Sequence, residues 1–204
     1  MVKTMKKLHI LSLILVTLGA VFLFNRIANH KSSQHSDSGH SQNALIGGEF
    51  QLVDQKKRIR SNHDFKNKHL LVYFGYSYCP DICPTALSNI SAALGKLGSK
   101  SKKIQPLFIS VDPSRDTPEN LNDYMENFHP SFIALTGTKE QVGQAKKAYR
   151  VYSTKVDPES SQTTEYLIDH SSIVYFMSPK GKFITHFNHE TDPDEMAKSL
   201  RKFL

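Results

Sequence analysis

Cysteine is scarce in this chain: only two of the 204 residues are cysteines, and both lie in one short motif, at Cys79 and Cys83. A disulfide between them would close too small a loop to restrain much of the unfolded chain, so a purely structural bridge would stabilise little. Two thiols that are kept together in one motif indicate redox chemistry or metal binding rather than packing.

Acidic residues are absent from the start of the chain, where none precedes Asp37. The basic residues up to position 26, Lys3, Lys6, Lys7 and Arg26, therefore supply much of the formal net charge of +7. The rest of the chain has 22 basic against 19 acidic residues, a net charge of +3. This near balance gives no support for nucleic-acid binding.

A run without formal charge at residues 8–24 follows the first lysines. Its length of 17 residues is close to the minimum for a helix that spans a bilayer. The run is longer than the ~7–15 apolar residues of a cleaved signal peptide, and no Ala-x-Ala cleavage pattern follows it. We therefore predict a cytoplasmic basic segment at 1–7 and an uncleaved transmembrane anchor at 8–24, with a removed signal peptide as the alternative. Because the lysines stay inside, the rest of the chain would face the periplasm of a bacterial inner membrane in a single-pass topology.

Residues 25–45 are polar and poor in large apolar side chains, which is typical of a flexible linker.

The remainder, 46–204, is long enough for one domain with a proper core. Strand-like and helix-like patterns alternate along it, and this order predicts an α/β thioredoxin-like sandwich with a central mixed sheet. The predicted elements are a hairpin beginning in 47–55, strands at 70–76, 104–111 and 131–137, helices at 85–97, 118–128 and 139–152, a loop or hairpin arm at 153–165, a hairpin of 170–177 and 182–187, and a helix at 192–204.

The two cysteines fall between the first core strand and the first helix, where backbone N–H groups and the helix dipole favour thiolate over thiol. Their C-x-x-x-C spacing favours chelation over disulfide exchange without excluding either. Two thiolates rarely complete a metal site, so a third ligand is expected, and the best candidate is His170. Two sulfurs and one imidazole suit Cu(I), Cu(II) or Zn(II) by ligand softness.

Asp112 follows the next strand, at the same edge of the sheet. It is either a carboxylate that tunes the thiols or supplies a weak fourth ligand, or a turn residue before Pro113. Asp81, between the cysteines, is expected to be a loop cap. The aromatic residues Tyr73, Phe74, Tyr76 and Tyr78 are expected to belong mainly to the core and rim, with shielding of the site as a further role for Tyr76 and Tyr78.

Three blocks of the sequence resemble signature blocks of the Sco/SenC family: GYSYCPDICPTALSNI, SVDPSRDTPENL and DHSSIVYFMSPKG. The similarity covers about 46–203 and preserves the order of the blocks. It implies a membrane-anchored, thioredoxin-fold copper chaperone that serves the assembly of cytochrome c oxidase. In that family the matching cysteines and histidine bind copper, and these positions are Cys79, Cys83 and His170. The family's aspartate falls on Asp112.

The leading hypothesis is a copper metallochaperone that delivers copper to the dinuclear copper site of cytochrome c oxidase subunit II. Another copper chaperone as donor and a thiol reductase are expected partners. The alternative is a thiol–disulfide oxidoreductase, in which Cys79 attacks a partner disulfide and Cys83 resolves the mixed disulfide. A thiol peroxidase is disfavoured, because no Thr-x-x-Cys arrangement is present.

Overall fold

The structure of the protein is a computed structural model, in which residues 46–156 and 166–204 are described. These residues form nine strands and four α-helices. The strands are β1 (Gln51–Asp54), β2 (Ile59–Ser61), β3 (His69–Gly75), β4 (Ile104–Ser110), β5 (Ile133–Thr136), β6 (Ser153–Val156), β7 (Leu167–His170), β8 (Ile173–Met177) and β9 (Phe183–Asn188). The helices are α1 (Ile82–Leu97), α2 (Pro118–Met125), α3 (Lys139–Tyr149) and α4 (Pro193–Leu200).

Seven of the strands form one mixed sheet in the order β2-β1-β5-β4-β3-β8-β9, while β6 and β7 pair as a separate two-stranded sheet. Strand β4 runs parallel to both β3 and β5 at the centre. The flanking strands β1, β2, β8 and β9 pair antiparallel. The α/β architecture with a central mixed sheet is therefore confirmed.

The central strands are buried because the sheet is covered on both faces, and such strands are continuous apolar runs rather than alternating ones. In β3 the side chains from Leu71 to Phe74 have no exposed surface, and β4 is buried from end to end. The carboxyl ends of the two strands are joined by a hydrogen bond of 2.8 Å from the Val111 N–H to the Gly75 carbonyl. The loops that leave these strands therefore start side by side on a rigid edge.

Side-chain caps fix where the helices begin. The Thr117 hydroxyl accepts the N–H of Asn120 at 3.2 Å, and Pro118 is the first residue of α2, as the sequence predicted. Thr138 caps α3 in the same way, and the Asp192 carboxylate caps α4. The start of α2 is therefore fixed directly after the loop that follows β4.

Two of the element boundaries that differ from the prediction bear on the site. Helix α1 begins at Ile82 rather than at Thr85, so Cys83 lies in its first turn. The stretch 170–177, predicted as one strand, is divided between β7 and β8. The physical reason is pairing: His170 lies opposite Ser153 in the small sheet, whereas β8 pairs with β3 and β9 in the large one. Apolar patterning cannot distinguish one strand from two strands in different sheets.

The predicted cytoplasmic segment 1–7, anchor 8–24 and linker 25–45 lie outside the described residues, as do 157–165 of the predicted loop. Within 46–156 and 166–204, none of the helices has the length and apolar character needed to cross a bilayer.

Candidate metal centre

The two cysteines lie on either side of the start of α1, Cys79 in the loop after β3 and Cys83 in the first turn of the helix. Cys83 is fully buried (0% exposed) against the core, while Cys79 is only partly buried in the preceding loop. Both are free thiols. Asp81 occupies the N-cap position of α1, and its carbonyl accepts the Thr85 N–H at 3.1 Å, but its side chain makes no cap hydrogen bond. Helix α1 thus fixes Cys83 firmly and leaves Cys79 nearer to solvent.

His170 lies close to the two cysteines. Each of the three residues Cys79, Cys83 and His170 offers one ligand atom, these atoms lie within 4.8 Å of one another, and together they can hold a metal ion. Nε2 of His170 is 3.4 Å from the Cys83 sulfur, and its Nδ1 is 3.1 Å from the Ser171 carbonyl oxygen. Because a carbonyl only accepts, Nδ1 carries the proton of the neutral imidazole, which leaves the lone pair of Nε2 facing the sulfurs. That is the orientation a metal-ligating imidazole requires.

Aromatic rings surround the imidazole. The rings of Tyr73 and Tyr76 meet His170 edge-on, with centroid distances of 6.1 and 5.8 Å. The Tyr73 hydroxyl also lies 3.8 Å from the Cys83 sulfur. Tyr76 shields the site as expected, whereas Tyr78 is 43% exposed at the rim. The contribution of Tyr73 was missed, because a tyrosine inside an apolar strand pattern is indistinguishable from ordinary core.

The two thiols have opposite tendencies to ionise. The hydrogen bond from Cys83 is the largest influence on the Cys79 thiol, and it holds the pKa of Cys79 far below the ordinary range despite partial burial. Burial raises the pKa of the Cys83 thiol, and the adjacent Cys79 raises it further. In the metal-free protein, these opposite shifts favour a thiolate at Cys79 that accepts a hydrogen bond from the thiol of Cys83.

This asymmetry has a measurable consequence in the reduced, metal-free protein. We expect iodoacetamide to label Cys79 at a pH well below the value of about 8.5 at which a free cysteine ionises, while Cys83 stays unlabelled. Mass spectrometry of the labelled chain reads out both sites, and labelling in denaturant, where both cysteines react, is the control. Equal labelling of the two cysteines in the folded protein would show that their thiols do not differ in pKa.

Asp116 is a fully buried carboxylate that the sequence did not single out. It accepts hydrogen bonds of 2.5 Å from the hydroxyls of both Ser77 and Ser110, and a longer one of 3.2 Å from the Ser77 N–H. Burial raises its pKa, and the serine hydrogen bonds oppose that effect. The carboxylate ties the loop that leads to Cys79 to the end of β4. A single buried acid leaves no periodic pattern, so the sequence offered little sign of it.

Asp112 is also buried, at the sheet edge where it was expected. Its carboxylate accepts Nε–H of Arg115 at 2.6 Å and the Tyr166 hydroxyl at 2.9 Å. It lies outside the group formed by the two cysteines and His170. These contacts place Asp112 in a polar cluster with Arg115 and Tyr166.

The fold and the site define the class: a thioredoxin-like α/β protein with a Cys–Cys–His group that can hold a metal. The SCO1/SenC family model matches residues 38–204, and the chain belongs to this family. A SCO2-like protein of Rickettsia conorii is 35% identical over 196 residues, which are 96% of this chain and 95% of the relative. The mitochondrial SCO2 homolog of Bos taurus is 33% identical over 201 residues, 97% of this chain and 75% of the relative.

Solved structures show the same likeness. The copper-bound ScoI of Bradyrhizobium japonicum is similar with a TM-score of 0.72 and 38% identity, over 78% of this chain and 99% of that one. The family resemblance inferred from the three sequence blocks is therefore confirmed.

Proposed function

We propose that this protein is a copper metallochaperone whose cargo is held by Cys79, Cys83 and His170. The observation that carries the proposal is the convergence of two sulfurs and one imidazole nitrogen within 4.8 Å, with Nε2 already directed at the sulfurs. Thiolate and imidazole ligands together favour copper or zinc. Membership of the SCO1/SenC family and likeness to copper-bound ScoI support copper.

The burial of the ligands suits a site that releases its cargo. Cys83 is fully buried while Cys79 and His170 are partly exposed, so an acceptor approaches from their side. Cu(I) binding requires Cys83 to lose its proton, since only the thiolate is a good ligand. Transfer then proceeds by ligand exchange: ligands of the acceptor replace Cys79, His170 and finally Cys83 on the copper, and Cys83 takes up a proton from solvent as it departs.

The acceptor in this proposal is the dinuclear copper site of cytochrome c oxidase subunit II, as the family resemblance implies. A second copper chaperone would load the site, and a thiol reductase would keep the cysteines reduced. The anchor at 8–24 and the linker at 25–45 would hold the domain 46–204 at the periplasmic face of the inner membrane, where such an acceptor is exposed.

Replacing His170 with alanine tests the ligand set. We expect His170→Ala to lower Cu(I) affinity by at least about tenfold, the lower end of what even an outer-shell change costs, because Cu(I) would keep only the two sulfurs. The measurement is an anaerobic competition titration of the reduced protein against a chromogenic Cu(I) chelator. His186→Ala is the matched control, since His186 is exposed on β9 outside the ligand group. Unchanged affinity in His170→Ala would refute this set of ligands.

A second candidate function is thiol–disulfide exchange, which the lowered pKa of Cys79 favours. The Cys79 thiolate would attack a partner disulfide, and Cys83, once deprotonated, would displace the partner, leaving the partner reduced and this chain oxidised. Exchange does not require His170, whereas chelation does. Partner reduction that survives in His170→Ala, together with weak copper binding by the unmodified protein, would favour this function.

A further inference from the structure

The His170-bearing hairpin is separate from the large sheet. Among the described residues, strands β6 and β7 pair only with each other, and His170 is the last residue of β7. Its neighbour Ser171 bonds back to Tyr152, just before β6, at 3.1 Å. Ser171 and Ser172 alone connect His170 to β8, so the backbone brings His170 near the large sheet, and side-chain contacts then fix its imidazole relative to the cysteines.

Tyr166, immediately before β7, makes three such side-chain contacts. The guanidinium carbon of Arg115 and the Nζ atom of Lys155 each lie 3.7 Å from the centroid of its ring. Its hydroxyl donates to the Asp112 carboxylate at 2.9 Å. Two cation–π contacts hold the ring, and a charge-assisted hydrogen bond holds the hydroxyl. We refer to Asp112, Arg115, Lys155 and Tyr166 as the Tyr166 cluster.

Arg115 extends this cluster to the dithiol loop. Its Nε binds Asp112 at 2.6 Å, and its guanidinium carbon is 4.7 Å from the ring centroid of Tyr78 and 5.7 Å from that of Tyr76. Tyr76 in turn accepts the Ile168 N–H of β7 at 3.2 Å and packs its ring against His170. One arginine thus contacts the aromatic residues before Cys79 and the tyrosine at the base of the hairpin.

We infer that Tyr166 is a positioning residue that holds the hairpin so that the His170 imidazole stays within ligand distance of Cys79 and Cys83. The inference rests on the proposed copper site. The two halves of that site come from distant parts of the chain, and the Tyr166 cluster is a side-chain bridge between them. Without it, the dithiol remains on the rigid edge of the sheet while the imidazole loses its fixed place.

The test is a double-mutant cycle of Tyr166→Leu with His170→Ala in the reduced full chain. We expect Tyr166→Leu to lower Cu(I) affinity by about tenfold in the otherwise unmodified protein and to cause no further loss in the His170→Ala background. A tenfold change lies within the range of interaction energies between residues that are in contact. Nitrogen hyperfine coupling in the electron paramagnetic resonance spectrum of the Cu(II)-loaded protein should weaken in Tyr166→Leu. Equal loss of affinity in both backgrounds, or no loss in either, would overturn the inference.

Tyr166→Phe is the conservative variant, because it keeps the ring between the same cations and removes only the hydrogen bond to Asp112. It should retain the nitrogen coupling; loss as complete as in Tyr166→Leu would contradict a role for the ring. In the metal-free protein, ring currents of Tyr73 and Tyr76 should shift the proton NMR signals of the His170 ring. We expect these signals to move in Tyr166→Leu and to stay in place in Tyr166→Phe. Unchanged signals in Tyr166→Leu would also count against the inference. The two failures are distinguishable: if His170→Ala alone has no effect, the copper site is wrong, whereas an effect of His170→Ala without one of Tyr166→Leu removes only the positioning role.

Discussion

Replacing Cys83 with alanine should reduce Cu(I) affinity by more than about a hundredfold, beyond the largest loss that outer-shell changes cause. The thiol of Cys83 is fully buried between the core and His170, so no water or neighbouring side chain can readily take its place. The same substitution removes the largest influence that lowers the pKa of Cys79. We therefore expect the pKa of Cys79 to rise toward its ordinary range. The pH dependence of iodoacetamide labelling measures that pKa, and the chelator titration measures the affinity.

Cys83→Ser separates the two effects, because a hydroxyl can still donate a hydrogen bond to Cys79 but is a poor ligand for copper. It should lose copper about as severely as Cys83→Ala and yet keep part of the lowered pKa of Cys79. Tight copper binding in either variant would contradict a ligand role for Cys83. An unchanged pKa of Cys79 in Cys83→Ala would show that Cys83 is not the donor.

The second large effect concerns Gly75, the last residue of β3. A Cβ atom at this position would lie 2.7 Å from the Cys83 sulfur and 2.9 Å from a ring carbon of Phe108. The Tyr73 ring is also close, at 3.1 Å, and all three neighbours are fully buried. Since none can yield freely, Gly75→Ala should lower the free energy of unfolding by ~1–3 kcal/mol, the usual cost of overpacking. It should also displace the Cys83 sulfur and weaken copper binding.

Gly95→Ala is the matched control for this experiment. Gly95 lies in α1, the helix that carries Cys83, and a Cβ there would meet nothing within 4 Å. Because alanine is the better helix former, Gly95→Ala should raise the free energy of unfolding by ~1 kcal/mol and leave copper affinity unchanged. Urea unfolding monitored by circular dichroism gives both values. If Gly75→Ala proved as stable as the unmodified protein, the close packing of β3 against Cys83 would be disproved.

The parts of the fold that the sequence predicted well are those in which local pattern and burial agree. The cores of β3 and β4 are continuous apolar runs, which parallel central strands require. The start of α2 at Pro118 follows from the local chemistry of its Thr117 cap. The meeting of His170 with the dithiol could also be predicted, because the topology places the loops of neighbouring strands at one edge.

The parts that could not be predicted depend on tertiary partners. Whether His170 ends one strand or begins another is decided by Ser153, which lies opposite it and is distant in sequence. The roles of Asp116 and Tyr166 depend on which side chains surround them, although Asp116 lies within the block SVDPSRDTPENL. Asp112 was noticed, but its engagement by Arg115 and Tyr166 is visible only in the folded protein.

X-ray absorption spectroscopy of the Cu(I)-loaded, reduced protein tests the proposed ligand set, because it identifies and counts the sulfur and nitrogen atoms bound to the metal. We expect two sulfur ligands and one nitrogen ligand, with the nitrogen lost in His170→Ala and retained in His186→Ala. A spectrum with sulfur ligands alone in the unmodified protein, or a nitrogen ligand that persists without His170, would contradict a copper site built from Cys79, Cys83 and His170.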